Sequence, residues 1–294
     1  MITKVLISGA TGDTGRSAVK ESLTLGLQVR ALVRKLDARS DALASMGAEV
    51  VVGDILDLNS ISAAMKEVDA AYFVYPVAPG LIQAAAYFAQ AARENGVKAV
   101  LNLSQRSANR ESASDSCRDT FLAEEVFNWS GVPVIHLRPT YFLEWLMYPW
   151  QLPFLQQGIL RMPTGKGRHS PIASADQGRA IAAILKNPEA HIGKTINLSG
   201  PVEMNHEQMA AELSTALGRK IVHQDLPIDE YCTSIEAVGV PPYIVQHLRG
   251  AMADYHVGRM SGADNNIEVI TGKASMTVGE FAQANIAVLN ATAV

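Results

Sequence analysis

Gly9, Gly12 and Gly15, spaced by three in GATGDTG, are the residues whose type and spacing most clearly suggest chemistry. Before them runs the aliphatic and β-branched Val5–Leu6–Ile7; after them RSAVKESLTL, Arg16 to Leu25, turns helical. A strand, a glycine turn and a helix in that order aim free backbone N–H groups and the positive end of a helix dipole at one point. That point suits an anionic phosphate. Gly9 reads as the tight turn, Gly12 as the gap that admits a pyrophosphate and Gly15 as the close helix–strand contact. Thr11, Asp13 and Thr14 fall in the same cradle. A tight strand–helix connection with no ligand would use the same glycines; the flanking elements favour dinucleotide binding.

A second group lies at the end of the next predicted strand, QVRALV from Gln28 to Val33, where Arg34 and Lys35 follow and Arg39 is near. An Asp or Glu at this point binds the ribose 2′-hydroxyl of NAD. A guanidinium fork suits a 2′-phosphate instead, which favours NADP(H). The alternative is a solvated basic loop. Asp54 and Ile55, after the third strand EVVVG, fall where the adenine would lie.

The elements that must position these groups alternate at short intervals. Further strands are predicted at Ala70–Tyr75, Lys98–Leu103 and Val132–Leu137, with helices at Gly80–Glu94 and Asp119–Trp129. This alternation implies an α/β chain with a Rossmann-type, doubly wound parallel sheet and right-handed crossovers. Ligands of such sheets lie beyond the carboxyl ends of the strands, which picks out Gly9, Arg34, Asp54, Tyr75, Ser104 and Pro139.

After Pro139 the texture changes. Tyr141, Phe142, Trp145, Tyr148, Trp150 and Phe154 crowd into fourteen residues, as interdomain core, as the wall of a pocket for a flat apolar molecule, or as both. Later segments predict helices at Ala175–Leu185, Asn205–Leu217 and Ile228–Tyr255, the last interrupted at Pro241 and Pro242. Short strands are predicted at Thr195–Leu198 and Ile221–Gln224, and a final helix begins at Thr277. The division expected is a dinucleotide-binding domain, 1–140, and a smaller C-terminal α/β substrate lobe, 141–294, some of whose strands return to the main sheet.

Composition narrows the class. Hydrophobic residues make up 48% of 294, and the net charge is −4. That balance excludes disorder and argues against a nucleic-acid binder. Cys117 and Cys232 have no metal-like spacing, so a reducing cytoplasm is expected. No apolar run reaches membrane-spanning length, and no leader pattern is visible. The seven histidines form no ligand-spaced cluster. His136 reads as a strand residue, and His169 as a residue that could face the pocket. Gly165, Lys166, Gly167 and Arg168 resemble a phosphate-binding run but lack a preceding strand, and read as a flap or turn. A homodimer is a reasonable default.

GATGDTG, VRALVRK, VVGD and LRPTYFLE, with TFLAEEVFNWSGVPVIHLRP beginning at Thr120, together resemble the NmrA-like branch of the atypical short-chain dehydrogenases. The resemblance spans roughly the first 200 residues. The branch contains quinone, triphenylmethane-dye, azo-dye and phenylpropanoid reductases, and also NADP-sensing regulators with little turnover. It implies an NADPH-dependent oxidoreductase acting on a small aromatic or quinone-like substrate, or such a sensor. One departure bears on mechanism. The Tyr-x-x-x-Lys pair of the wider family would supply a proton. The corresponding positions read here as Phe121 and Glu125. Hydride transfer to a quinone or a cationic dye needs little proton help in its first step, so the lost pair disfavours alcohol–ketone chemistry rather than all reduction. Ser104, Tyr75 and Tyr141 are the candidate catalytic residues, each with a bland alternative: a turn cap for Ser104, packing for the tyrosines. Ser104, Tyr75, Pro139, Tyr141 and Phe142 are also expected against the cofactor. Glu125 could touch a ribose hydroxyl or a cationic substrate.

Overall fold

In the computed structural model, which describes residues 1–291, the aliphatic runs become the strands of a buried parallel sheet. The first part of the chain runs β1 (Lys4–Ile7), α1 (Asp13–Thr24), β2 (Gln28–Val33), α2 (Ala38–Ser45), β3 (Glu49–Val52), α3 (Leu58–Met65), β4 (Ala70–Phe73) and α4 (Leu81–Glu94). It continues with β5 (Ala99–Leu103), α5 (Asp115–Ser130) and β6 (Val134–Pro139). After a 3-10 turn at Leu143–Met147 come α6 (Leu152–Gln156), β7 (Ile159–Arg161), α7 (Ser174–Lys186), β8 (Thr195–Leu198), α8 (His206–Leu217) and β9 (Val222–Gln224). The chain then turns helical: α9 (Ile228–Ala237), α10 (Pro242–His256), α11 (Asn266–Thr271), α12 (Val278–Ala284) and α13 (Ile286–Leu289).

Seven strands form one parallel sheet in the order β3-β2-β1-β4-β5-β6-β8. The order reverses beside β1, between β2 and β4, so the loops after β1 and β4 flank the crevice where ligands of doubly wound sheets sit. One face of the sheet carries Val5, Ile7, Val19, Tyr72, Leu101 and the side chains of α7. The other carries Leu6, Phe73 and Val100 under Phe88 and Phe127, whose rings meet Phe73 edge-on at 5.0 and 5.2 Å. A third core, with Leu143, Leu155, Met209, Leu213 and Leu248, belongs to the later helices. The chain does not divide in one place, because β8 pairs with β6 in the main sheet and α7 packs on α1. Gly178 permits that packing: a Cβ there would lie 2.5 Å from Ser17 Cβ.

Two boundaries differ from expectation for local reasons. Helix α5 begins at Asp115, four residues before the predicted Asp119, because Ser114 Oγ accepts a hydrogen bond from Cys117 N (3.2 Å) and caps it. The interruption expected at Pro241 and Pro242 begins earlier, at Val238, with Gly239 at φ +85°, and α10 restarts with Pro242 in its first turn. The final helix is likewise two, interrupted at Asn285. Among the described residues no helix is long and apolar enough to cross a membrane.

Candidate active site

The glycine turn is built as a closed contact. Gly9 follows β1 at φ +55°, and a Cβ there would lie 2.5 Å from Val74 Cγ1. Gly12 N donates to Gly9 O (2.9 Å), and Gly12 then caps α1 with no side-chain bond of its own. At Gly15 a Cβ would sit 2.2 Å from Gly9 O, so only glycine lets α1 approach the turn this closely. The uncapped N-terminus of α1 is left open toward the crevice, where backbone N–H groups and the helix dipole both favour an anion.

The strand ends open into one cavity of about 680 Å³. Gly9, Thr11, Gly12, Asp13 and Thr14 line it from the turn. Arg34, Asp54 and Ile55 line it from the ends of β2 and β3, Tyr75 and Ser104 from the ends of β4 and β5, and Pro139, Tyr141 and Phe142 from the end of β6. Gly15 and Lys35 do not reach it: Gly15 is buried in the helix–turn contact, and Lys35 is exposed outside. Arg34 is exposed, with no ion-pair partner among the described residues. Arg39, by contrast, is engaged by Asp37 (2.7 Å), which caps α2.

At the centre, Ser104 N donates to Leu137 O (2.7 Å), while its buried hydroxyl has no partner among the described residues. Gln105 follows, with Nε2 donating to Thr120 Oγ1 (2.8 Å) and Oε1 accepting from Ser107 Oγ (3.2 Å). Helix α5 turns Ser116 and Thr120, one turn apart, toward the cavity; Phe121 and Glu125 lie on a neighbouring face and do not line it. The expectation that Phe121 and Glu125 stand at the reactive positions is thereby corrected, as is a Glu125 contact with ribose or substrate. The adjacent Glu124 is buried and holds Arg138, with Arg138 Nε 2.8 Å from Glu124 Oε1. Tyr75 spends its hydroxyl on Pro79 O (2.8 Å). Burial and the nearby Asp54 carboxylate raise the pKa of Tyr75.

The far end is aromatic and aliphatic. Trp145, Tyr148 and Trp150 line it, so with Tyr141 and Phe142 five of the six aromatics of that stretch are pocket wall, while Phe154 stands aside and receives the Arg161 guanidinium over its ring at 4.6 Å. Tyr148 Oη donates to Asp13 Oδ2 (3.3 Å), joining this wall to the glycine turn, and its pKa is pushed up to about 12 by burial and by Asp13. Tyr141 is buried, its hydroxyl has no partner among the described residues, and burial drives its pKa well upward. Its ring stacks on His169 at 5.2 Å.

His169 does not face the cavity. It is fully buried behind Tyr141, edge-on to His206 at 4.6 Å, and burial lowers its pKa to about 3. The Gly165–Arg168 run is a packed turn, not a phosphate loop: Gly165 N donates to Asp225 Oδ1 (3.1 Å) and Arg168 Nη2 to Glu203 O (2.8 Å). His136 sits in β6 between Asn102 (3.0 Å) and Asn128 (3.0 Å). Among the described residues no group of His, Cys, Asp or Glu could hold a metal ion, and both cysteines are free and buried.

The largest omission from the sequence reading is α10. Ile244, His247, Leu248, Ala251, Met252 and Tyr255 line the cavity from one face of it. Their three-and-four spacing is visible in the sequence, but it is the same signal that any core-facing helix gives.

A profile of the NmrA-like family matches residues 1–278. The chain is 25% identical to an NAD(P)H azoreductase of Xenophilus azovorans over 98% of its own length and 99% of the relative's. Its fold superposes on the NADPH-dependent quinone oxidoreductase of Escherichia coli, solved with NADPH, with a TM-score of 0.84 at 22% identity, covering 95% of this chain and 99% of that one. The triphenylmethane reductase of a Citrobacter species, solved with NADP(H), gives 0.82 at 23% identity over 97% of this chain and all of that one.

Proposed function

The chain belongs to the NmrA-like family, and from that premise we propose that it is an NADPH-dependent reductase of flat conjugated acceptors such as quinones and azo or triarylmethane dyes. One observation carries the reading. A single cavity runs from an uncapped glycine turn, past the unpaired Arg34, to a wall of aromatic and aliphatic side chains. Phosphate, ribose and nicotinamide have chemically matched surfaces along the first part, and a flat acceptor has one along the second. The named activities of the azoreductase and quinone oxidoreductase relatives point the same way.

In this reading Gly9 to Thr14 receive the pyrophosphate, Arg34 the 2′-phosphate, and Asp54 and Ile55 flank the adenine. Gly15 supports the turn from behind. Lys35 adds only long-range charge. Bound NADPH supplies the hydride. Ser104, Pro139, Tyr141 and Phe142 lie where the nicotinamide end would reach. Ser104 offers it a free hydroxyl. Tyr141 stays protonated and can donate a hydrogen bond. Tyr75, with its hydroxyl bonded to Pro79 O, contributes a ring face and not a proton. Helix α5 carries neither Tyr nor Lys, which fits acceptors that need no acid in the hydride step.

The molecule works as a cofactor half, 1–140, and a substrate-side half, 141–294, with α7 and β8 built into the first. A cytoplasmic location rests on the two free thiols, and a homodimer on the prevalence of two-fold oligomers.

The test is NADPH oxidation against a panel of quinones, azo dyes and triarylmethane dyes, with NADH in parallel. Turnover that is faster with NADPH is the expected result. Tight NADP(H) binding without turnover on any acceptor would replace the reductase with a redox sensor acting through a partner protein.

A further inference from the structure

Most polar groups around the inner part of the cavity already have partners. Thr120 Oγ1 donates to Ser116 O (2.7 Å), both ends of the Gln105 amide are taken, and Cys117 Sγ donates to Gln105 Oε1 (3.6 Å). His247 is different. It lies on the cavity-facing side of α10 and is 4% exposed, with Nδ1 2.9 Å from Ser114 Oγ. Its other ring nitrogen, Nε2, has no partner among the described residues.

The tautomer follows from Ser114. Its oxygen accepts from Cys117 N (3.2 Å) as the cap of α5, which leaves its hydroxyl proton to be donated to His247 Nδ1, a nitrogen that also has Cys117 Sγ at 3.9 Å. With Nδ1 accepting from Ser114, the proton of the neutral ring sits on Nε2. Burial keeps the ring neutral, with a pKa lowered to about 4. The ring is also held firmly in place. Gly250, one turn along on the same face, lets α10 close onto Ser114, since a Cβ there would lie 2.4 Å from Ser114 N. Gln246 then bonds both Asp115 N (3.0 Å) and Ala113 O (2.8 Å), Tyr243 donates to Asp119 (3.0 Å), and Ser112 donates to the buried Asp254 (3.0 Å). These bonds fix α10 to the start of α5 and with it the direction of the imidazole.

We infer that His247 presents a fixed Nε2–H donor to the acceptor, and that the site therefore favours acceptors with an oxygen or nitrogen lone pair, a quinone or an azo compound, over triarylmethane cations. This rests on the reductase reading above. When a quinone takes up a hydride with both its electrons, oxidised nicotinamide is left behind and negative charge settles on a quinone oxygen. An azo bond likewise gains the hydride on one nitrogen and the charge on the other. The Nε2–H bond stabilises that anion, and a proton from water completes the hydroquinone or hydrazine. His247 keeps its own proton throughout. A triarylmethane cation becomes neutral on taking up hydride, and so gains nothing from the donor.

Two substitutions separate the two ring nitrogens. His247→Asn keeps a polar atom near Nδ1 for Ser114 and removes the cavity donor; His247→Gln carries an amide N–H to the Nε2 position. With a naphthoquinone acceptor, His247→Asn should lower kcat/KM by about ten- to a hundredfold. His247→Gln should recover most of that loss, and NADPH affinity by fluorescence titration should stay within about threefold for both. The loss with a triarylmethane dye should be at least about tenfold smaller. Equal losses with quinone and dye, or no recovery with Gln, would make His247 a packing residue and overturn the inference while leaving the reductase standing. If the wild type turns over neither acceptor, the reductase reading fails by itself. Quinone quenching of tryptophan fluorescence in the NADPH complex then still judges His247: a quinone Kd weakened by Asn and restored by Gln would support the donor, and an unchanged Kd would overturn it.

Discussion

The two ends of the cavity are built by different means. At the glycine turn the surface offered to a ligand is backbone: Gly12 caps α1 without a side chain, and the shape depends on missing Cβ atoms at Gly9 and Gly15. At the far end it is side chain, delivered by segments more than a hundred residues apart: Tyr141 and Trp145 after β6, His247 and Met252 on α10. A backbone surface can hold a phosphate whose geometry never varies, and it tolerates almost no substitution. A side-chain surface can be retuned one residue at a time while the sheet beneath it is unchanged. The cofactor end should therefore fail steeply and the acceptor end in grades.

Gly15→Ala is the steepest test of that contrast. The new Cβ would meet Gly9 O at 2.2 Å and Ala10 Cα at 2.9 Å, backbone atoms that cannot rotate away. The helix must move, at a cost of about 3 kcal/mol in stability, and the N-terminal N–H groups of α1 move with it. NADPH affinity should fall on the order of a hundredfold. Gly26→Ala is the control. Gly26 has φ +80°, and a Cβ there would meet nothing within 4 Å, so the change should cost about 1–2 kcal/mol with no effect on the cofactor. Chemical denaturation and NADPH titration of both variants read the difference. Similar NADPH affinities in the two would mean that the turn does not hold the cofactor.

The same contrast explains which parts of the molecule the sequence discloses. A glycine turn is local: strand, turn and helix fall within about twenty-five residues, and each glycine has a steric reason that its neighbours supply. The βα alternation up to β6 is legible for the same reason, with strand limits displaced by only a residue or two. The acceptor end is not local. Ile244, Leu248, Ala251 and Tyr255 carry the period of a helix with one buried face, and nothing in that period distinguishes a face turned to a cavity from one turned to a core. His247 is still harder to find, because its role depends on Ser114, 133 residues away. Placing Phe121 and Glu125 at the reactive positions fails because these residues are one position off the face that meets the cavity, at Ser116 and Thr120. On a helix a single-residue slip turns the direction by about 100°. Placing His169 against the pocket fails because a polar residue in a glycine-rich loop reads as exposed, whereas Gly167 closes that loop onto Tyr255.

Arg34→Ala probes a side-chain contact at the backbone-built end, so its effect should be selective and not global. A charged hydrogen bond to a 2′-phosphate contributes about 1.5–3 kcal/mol, or roughly ten- to a hundredfold in NADPH affinity. NADH, which lacks that phosphate, should bind within about twofold of its wild-type affinity. Because Arg34 is exposed, the NADPH advantage of the wild type should also shrink as salt is raised. Equal losses for both nucleotides would remove Arg34 from the 2′-phosphate site and leave cofactor choice to another group.

The smallest effect at neutral pH belongs to His169→Phe, which tests whether the buried side of the acceptor wall is chemistry or filling. Both ring nitrogens of His169 lack partners among the described residues. A phenyl ring can keep the stack on Tyr141 without burying unpaired polar atoms. At pH 7 the variant should be more stable by about 1 kcal/mol, with turnover within about twofold. Acid magnifies the difference, and the sign follows from the depressed pKa. The unfolded histidine takes up its proton near pH 6.5, whereas the folded one resists until about pH 3. The wild type thus holds this contribution fully above pH 6.5 and loses it progressively as the pH falls toward 3. Between pH 6.5 and 5 the loss from this residue is about 2 kcal/mol, and the phenylalanine variant escapes it. Urea denaturation at pH 7 and pH 5 should show its advantage widening by that amount. An advantage that does not change with pH would mean that the folded protein protonates His169 as easily as the unfolded chain does. The wall behind Tyr141 would then be a charged, ligand-responsive group and not filling.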